Sequence, residues 1–184
     1  SKLLRKEAEK IIMQSKLNWT ILRPTMIFGT PNDRNIARLI LWIDKYPIIP
    51  IFGNGNSLQQ PVYVKDVAWS AVEVLNQKNA FKNDFNISGR VSITYNQMID
   101  QISVLLNKNI FKIYLPGFLF AFILSCLEKI GIYLPIKGEQ IRRLNENKAF
   151  SHKKAQDLFG YSPSRFENVI KKEINLLKRK QNFL

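Results

Sequence analysis

One stretch limits the folds open to this chain more than any other: Asn18-Trp19-Thr20-Ile21-Leu22-Arg23-Pro24-Thr25-Met26-Ile27-Phe28-Gly29. Trp19 to Arg23 reads as a buried strand. Pro24 has no N–H for a ladder, so the strand should stop there and open into a polar turn that Gly29 closes. Ahead of it, Leu4, Ala8, Ile11 and Ile12 fall at helical spacing among Lys2, Arg5, Lys6, Glu9 and Lys10, an amphipathic helix over Ser1 to Ser15. A helix running into a buried strand is the second half of a βαβ unit, so we expect an α/β chain that forms the C-terminal part of a larger domain. Ligands of open α/β sheets gather outside the carboxyl ends of the strands, which makes Pro24, Thr25 and Met26 the first place to look for a site.

Composition narrows the classes. At 184 residues, 46% hydrophobic and 23% charged, the chain can bury one core and is not a disordered polymer. A formal charge of +14 invites nucleic acid, anionic lipid or phosphorylated ligands, and a solvated lysine surface accounts for it equally well. Cys126 is the only cysteine, which excludes an internal disulfide; it lies in an apolar run and reads as an inert, buried thiol in a reducing cytoplasm. His152 is the only histidine, which argues against His-rich metal sites and a Ser-His-Asp hydrolase, so no metal is expected.

Along the rest of the chain, Asp33 is a candidate N-cap for a helix carrying Ile36, Leu39, Ile40 and Ile43. Ile48 to Phe52 is a short apolar stretch, Gly53 to Asn56 a turn, and Gln59 to Val64 a short strand. Asp66 should cap a helix whose Val67, Ala68, Ala71, Val72 and Leu75 form a wide apolar face. Phe85 to Gly89 is a further strand. Thr94 and Gln97 form a capping box before Met98, Ile102, Leu105 and Leu106, and Ser164 and Glu167 form another before Val169, Ile170, Ile174 and Leu177. The run from Ile113 to Leu127 has no charge; its 118–127 segment is too short to span a bilayer and suits a buried helix or a peripheral membrane contact. Lys171, Lys172, Lys178, Arg179 and Lys180 read as a solvated helix face.

Four motifs stand in order: Ser1-Lys2; Leu22 to Gly29; Pro61-Val62-Tyr63-Val64-Lys65-Asp66-Val67-Ala68; and Lys154-Ala155-x-x-Leu158-Phe159-Gly160-Tyr161-x-Pro163. Together they resemble the C-terminal part of the extended short-chain dehydrogenase/reductases, the NAD-dependent epimerase/dehydratase family. The resemblance implies part of a Rossmann-like doubly wound sheet, about residues 1–30 and 61–90, interleaved with a small, mostly helical substrate-binding lobe, about 31–60 and 91–184. It implies NAD or NADP as cofactor, a nucleotide-activated or lipid-linked sugar as substrate, and a homodimer in which Leu3 to Ile12 is either interface or core. Lys2 falls at the lysine of the Tyr-x-x-x-Lys pair, whose ammonium favours ionisation of a phenol with a pKa near ~10. The tyrosine and the glycine-rich phosphate turn would precede Ser1, so the 184 residues alone are expected to bind dinucleotide poorly and to turn over little.

By the same resemblance, Pro24, Thr25 and Met26 lie beside the nicotinamide, Arg23 is structural, and Asn35, Gln59 and Tyr63 belong to the substrate pocket. Gln59 and Gln60 stand where many nucleotide-sugar enzymes carry an Arg-Asp pair. This disfavours a conventional diphosphate grip and leaves Arg142 or Arg143 as the cationic candidates. The alternative is a non-catalytic binding or assembly subunit on the same fold. Nucleic-acid binding is disfavoured, because no helix-turn-helix, zinc or aromatic RNA-binding signature accompanies the charge. A cytoplasmic protein, peripherally membrane-associated if 118–127 makes that contact, is the expected setting.

Overall fold

The computed structural model describes residues 2–33, 35–116 and 146–181, and shows an α/β fold whose strands pair in four two-stranded ladders. Helix α1 (Lys2–Gln14) leads to β1 (Thr20–Pro24) and β2 (Met26–Phe28). Helix α2 (Ile36–Lys45), β3 (Ile48–Phe52), β4 (Leu58–Gln59), β5 (Pro61–Tyr63) and α3 (Val64–Glu73) follow. Next come β6 (Asn83–Ile87), β7 (Ile93–Thr94), α4 (Tyr95–Leu106), β8 (Phe111–Leu115), α5 (Lys153–Phe159) and α6 (Phe166–Gln181). The ladders β1–β6, β2–β5 and β3–β8 are parallel and β4–β7 is antiparallel.

The opening stretch departs from expectation. Pro24 takes the last rung of β1, opposite Ile87, and its missing N–H costs nothing because the Thr25 N–H donates to the Ile87 carbonyl at 3.1 Å. Where a polar turn is expected, the chain stays extended and changes partner, with Met26–Phe28 pairing to Pro61–Tyr63. β1 is also only half-buried. Gly29 follows at φ +109, and a Cβ there would stand 2.5 Å from the Tyr63 ring.

The expected strand over Gln59 to Val64 is divided in the same way. Leu58–Gln59 pairs with β7, Pro61–Tyr63 pairs with β2, and Val64 already begins α3. Asp66, in the first turn of α3, does not cap that helix. Its carboxylate accepts from the Ser164 N–H at 2.8 Å and the Ser164 hydroxyl at 3.0 Å. The Ser164 hydroxyl, expected in a capping box with Glu167, donates to Asp66. The Thr94–Gln97 capping box is present. Asp33 accepts from the N–H groups of Asn35, Ile36 and Ala37, so it serves the first turn of α2 from just outside it.

Two apolar clusters result. The larger joins Phe28, the inner faces of α2, α4 and α6, and Ile49 and Ile51 of β3. The smaller gathers Val62, Val74, Ala80, Phe85 and Ile87 with Ala155, Phe159 and Tyr161 from the C-terminal region. Of the apolar face expected on α3, Val67 packs against the smaller cluster, whereas Ala68, Ala71, Val72 and Leu75 are exposed; Ser70 is buried and donates to the Asp66 carbonyl at 2.8 Å. Leu3, Leu4 and Ile11 of α1 are exposed as well. Arg23 has a structural role, bridging Glu9 of α1 at 2.7 Å and Asp84 of β6. Its guanidinium holds the Glu9 carboxyl below the usual carboxylate range.

Candidate functional site

The switch of partners at Pro24–Thr25 and the break between β4 and β5 face each other, and a cavity of about 290 Å³ opens between them. Thr25, Met26, Asn35, Gln59, Gln60, Lys148 and Phe150 line it. Four candidates from three parts of the sequence, Thr25 and Met26, Asn35, and Gln59, therefore meet around one space. Thr25 comes from the carboxyl end of β1, where ligand-binding crevices form in open α/β sheets. Asn35 comes from the start of α2, positioned by the Asp33 carboxylate through its backbone N–H at 2.8 Å.

Gln60 builds the wall. It sits between β4 and β5, its carboxamide donates to the Gly89 carbonyl at 2.7 Å, and its side-chain oxygen accepts from the Phe150 N–H at 2.7 Å. The Thr25 hydroxyl donates to the Gln60 carbonyl. Lys148 and Phe150 reach the cavity because residues 147–150 run alongside β4: the Lys148 N–H donates to the Leu58 carbonyl at 2.7 Å, and Asn147 accepts from the Leu58 N–H at 2.9 Å. Gly89 permits the close approach, since a Cβ there would stand 1.9 Å from the Pro61 carbonyl oxygen. Gln59 is buried, and neither polar atom of its carboxamide has a hydrogen-bond partner among the described residues. An unpaired buried amide costs about 1–3 kcal/mol, so this position is held against a local penalty.

Behind the Gln60–Phe150 wall lies a second space of about 330 Å³, lined by those two residues with Ser151, His152, Lys153, Gln156 and Asp157. The Ser88 hydroxyl donates to the Phe150 carbonyl at 2.8 Å and stands 2.9 Å from His152 Nδ1, which assigns the ring proton to Nδ1. Burial, and secondarily the charge of Arg90, lowers the His152 pKa, so the ring is neutral at pH 7. The Tyr161 hydroxyl donates to the Ser88 carbonyl at 3.0 Å, and its burial raises the phenol pKa. These bonds fix the Ser88–Gly89 turn from the far side of the wall.

The remaining candidates lie elsewhere. Tyr63 packs its ring 6.2 Å from that of Phe28 and does not line the cavity; Pro24 is exposed at the end of β1. Lys2 heads α1, with its side chain outside the described part of the structure. Arg142, Arg143, Cys126 and the 118–127 segment lie outside the described residues. Gln60, Lys148, Phe150, Ser88 and His152 were not among the sequence candidates. Of these, Gln60 carried a signal, standing with Gln59 where many nucleotide-sugar enzymes carry an Arg-Asp pair. Among the described residues no group of His, Cys, Asp or Glu could hold a metal ion, and no helix is long and apolar enough to cross a membrane.

Parallel ladders, a strand whose carboxyl end opens on a lined cavity, and an attached helical lobe define a Rossmann-like α/β protein. The chain belongs to the 3-beta hydroxysteroid dehydrogenase/isomerase family, whose model matches residues 2–112. This agrees with the resemblance to extended short-chain dehydrogenase/reductases carried by the four motifs. Over 90 residues the chain is 30% identical to the chloroplast stem-loop binding protein of 41 kDa b of Arabidopsis thaliana, covering 48% of this chain and 24% of that protein. Over 77 residues it is 36% identical to the mitochondrial NADH dehydrogenase (ubiquinone) 1 alpha subcomplex subunit 9 of the same organism, covering 41% of this chain and 19% of the relative. The UDP-glucuronic acid 4-epimerase of Bacillus cereus, solved with UDP-glucuronic acid and NAD, superposes with a TM-score of 0.67 at 20% identity, covering 94% of this chain and 49% of that one. The chain thus spans about half of that solved structure and a quarter or less of the two curated relatives.

Proposed function

We propose that the protein is an NAD(P)-dependent epimerase, dehydratase or reductase acting on a nucleotide-activated or lipid-linked sugar, of which these 184 residues form the C-terminal portion. The observation that carries this reading is the convergence of Thr25, Met26, Asn35 and Gln59 on one cavity at the carboxyl end of β1. The shared fold with a sugar-nucleotide epimerase solved with NAD supports it.

The cavity, at about 290 Å³, suits one ring-sized polar group rather than a whole dinucleotide. The nicotinamide end fits that size, with Thr25 and Met26 beside it and Asn35 on the substrate side. When bound, the dinucleotide would supply the hydride chemistry. This chain's part is to orient: the Thr25 hydroxyl is held in the lining by its bond to the Gln60 carbonyl, and Phe150 closes one wall. Lys148 is the cationic residue of the lining, in a site where Gln59 and Gln60 present neutral amides. Titration calorimetry of the full-length protein with NAD(H) and NADP(H) tests the proposal. Micromolar binding, weakened about tenfold or more by Thr25→Val, is expected; no binding of either dinucleotide overturns it.

A second reading has an observation of its own, because one relative is named as a subunit of a mitochondrial NADH dehydrogenase (ubiquinone). In that reading the same cavity is retained for binding or assembly without turnover. A tyrosine three residues before Ser1 in the longer protein favours the enzyme; another residue there, with dinucleotide binding but no sugar turnover, favours the subunit.

A further inference from the structure

The outer face of the β3–β8 ribbon is apolar from end to end. Residues in register in a parallel ladder share a face, and alternation separates the two faces. Ile49 and Ile51 point into the larger core, at 3% and 0% exposure, while Ile48 and Pro50 point outward beside Phe111 and Ile113. Ile48, Phe111 and Ile113 are 45%, 72% and 46% exposed. Trp42 and Tyr46, at 44% and 42%, extend the face, with their rings 4.8 Å apart. The Trp42 indole N–H donates to the Ile48 carbonyl at 2.9 Å, and the Phe111 N–H donates to the Pro47 carbonyl at 2.8 Å, so helix end and ribbon form one continuous surface.

We propose that this face docks on an anionic lipid surface. Two features select lipid over a second copy of the chain. Trp and Tyr, each an apolar ring with a polar edge, sit at the rim, where headgroups meet the hydrocarbon. The net charge of +14 opposes apposition of two copies and draws the face toward anionic headgroups. Locally, the one rim acid among the described residues, Asp44, is matched by Lys108 at 3.4 Å, while Lys45 stands over the Tyr46 ring, 5.3 Å from its centroid. Lys112, on the inner face of β8, is held by Asp100 and does not interrupt the apolar surface. The inference is independent of the dinucleotide reading, since it uses none of the cavity residues.

Co-sedimentation with vesicles of mixed phosphatidylglycerol and phosphatidylcholine, against pure phosphatidylcholine, tests it. The protein should pellet with the anionic vesicles, less so at high salt. The double variant F111S/I113S should lose roughly tenfold or more of that binding. L75S/V104S, which alters apolar residues comparably exposed elsewhere, should bind like the parent. Because all four side chains are exposed, circular dichroism melts should be unchanged. Quenching of Trp42 fluorescence by brominated lipid in a W19F/W69F background gives a second readout and should be seen with anionic vesicles only. No preference for anionic vesicles, equal binding by F111S/I113S, or a concentration-dependent dimer that F111S/I113S abolishes would each overturn the proposal.

Discussion

The two apolar clusters are built from similar residues and end up differently covered. In the larger, α2, α4 and α6 bury their apolar rows against one another and against β3, and Phe28 locks them to the strand layer. In the smaller, Phe85 and Ile87 of β6 pack with Val62, Val74, Ala80 and the α5 side chains Ala155 and Phe159, while Leu3, Leu4 and Ile11 of α1, Val72 of α3 and Leu75 just after it stay in solvent. The contrast is one of area. Three long helices can enclose a core among themselves, whereas a two-stranded parallel ladder is too narrow to cover the helices beside it, and parallel strands are stable only when layered on both faces. The cavity sits at the seam, with Met26 packed against the larger cluster and the Gln60 wall tied to Gly89 at the end of β6.

If the larger cluster carries the fold, the greatest loss comes from its keystone. Phe28 is buried, with its ring 5.2 Å from that of Phe166 and 6.2 Å from Tyr63. Phe28→Ala should lower the stability measured by urea unfolding by about 3–5 kcal/mol, through lost transfer energy and a residual cavity. A loss below about 1 kcal/mol would mean that the clusters do not differ as described.

The same cluster holds its own weak point, and pH exposes it. Glu173 of α6 is fully buried, with neither carboxylate oxygen in hydrogen-bond geometry to a described partner. Burial first, and the Asp33 carboxylate beside it second, push its pKa from 4.5 up to about 9. The unfolded chain releases this proton near 4.5 and the folded chain near 9, so between those values the native state binds more protons and stability falls as pH rises. Glu173→Gln should flatten that slope and raise stability at pH 8 by about 1–3 kcal/mol while changing little at pH 4. Parallel pH profiles for parent and variant in thermal melts would show Glu173 ionised at neutral pH, and the account wrong.

What could be read from the sequence divides along lines of locality. The start of α2 beside Asp33 and the Thr94–Gln97 box that opens α4 depend on residues within a turn of each other, and local chemistry sets them. Of the cavity's residues, Thr25 and Met26 came from the strand end that Pro24 marks, and Asn35 and Gln59 from the order of motifs. By contrast, whether Met26–Phe28 turns or pairs depends on Pro61–Tyr63, far along the chain. Asp66 has the signature of an N-cap, but its partner, Ser164, belongs to the start of another helix. Glu173 did leave a trace: it falls three residues after Ile170 and one before Ile174, in the apolar row of α6, where a charge breaks the period.

The smallest effect is the sharpest test of the contrast, because a null result there is informative. Leu75 follows α3 and is exposed, as are Ala71 and Val72 in the turn before it. A side chain that buries nothing on folding loses nothing on truncation, so Leu75→Ser should shift the urea-derived stability by no more than about 0.5 kcal/mol in either direction. Val74, its buried neighbour in the smaller cluster, supplies the internal scale: Val74→Ala removes apolar surface that is buried on folding and should cost about 1–2 kcal/mol. Comparable costs for the two changes would show that the α3 face is covered in solution. The smaller cluster would then be as enclosed as the larger, and the difference in area that separates them would be gone.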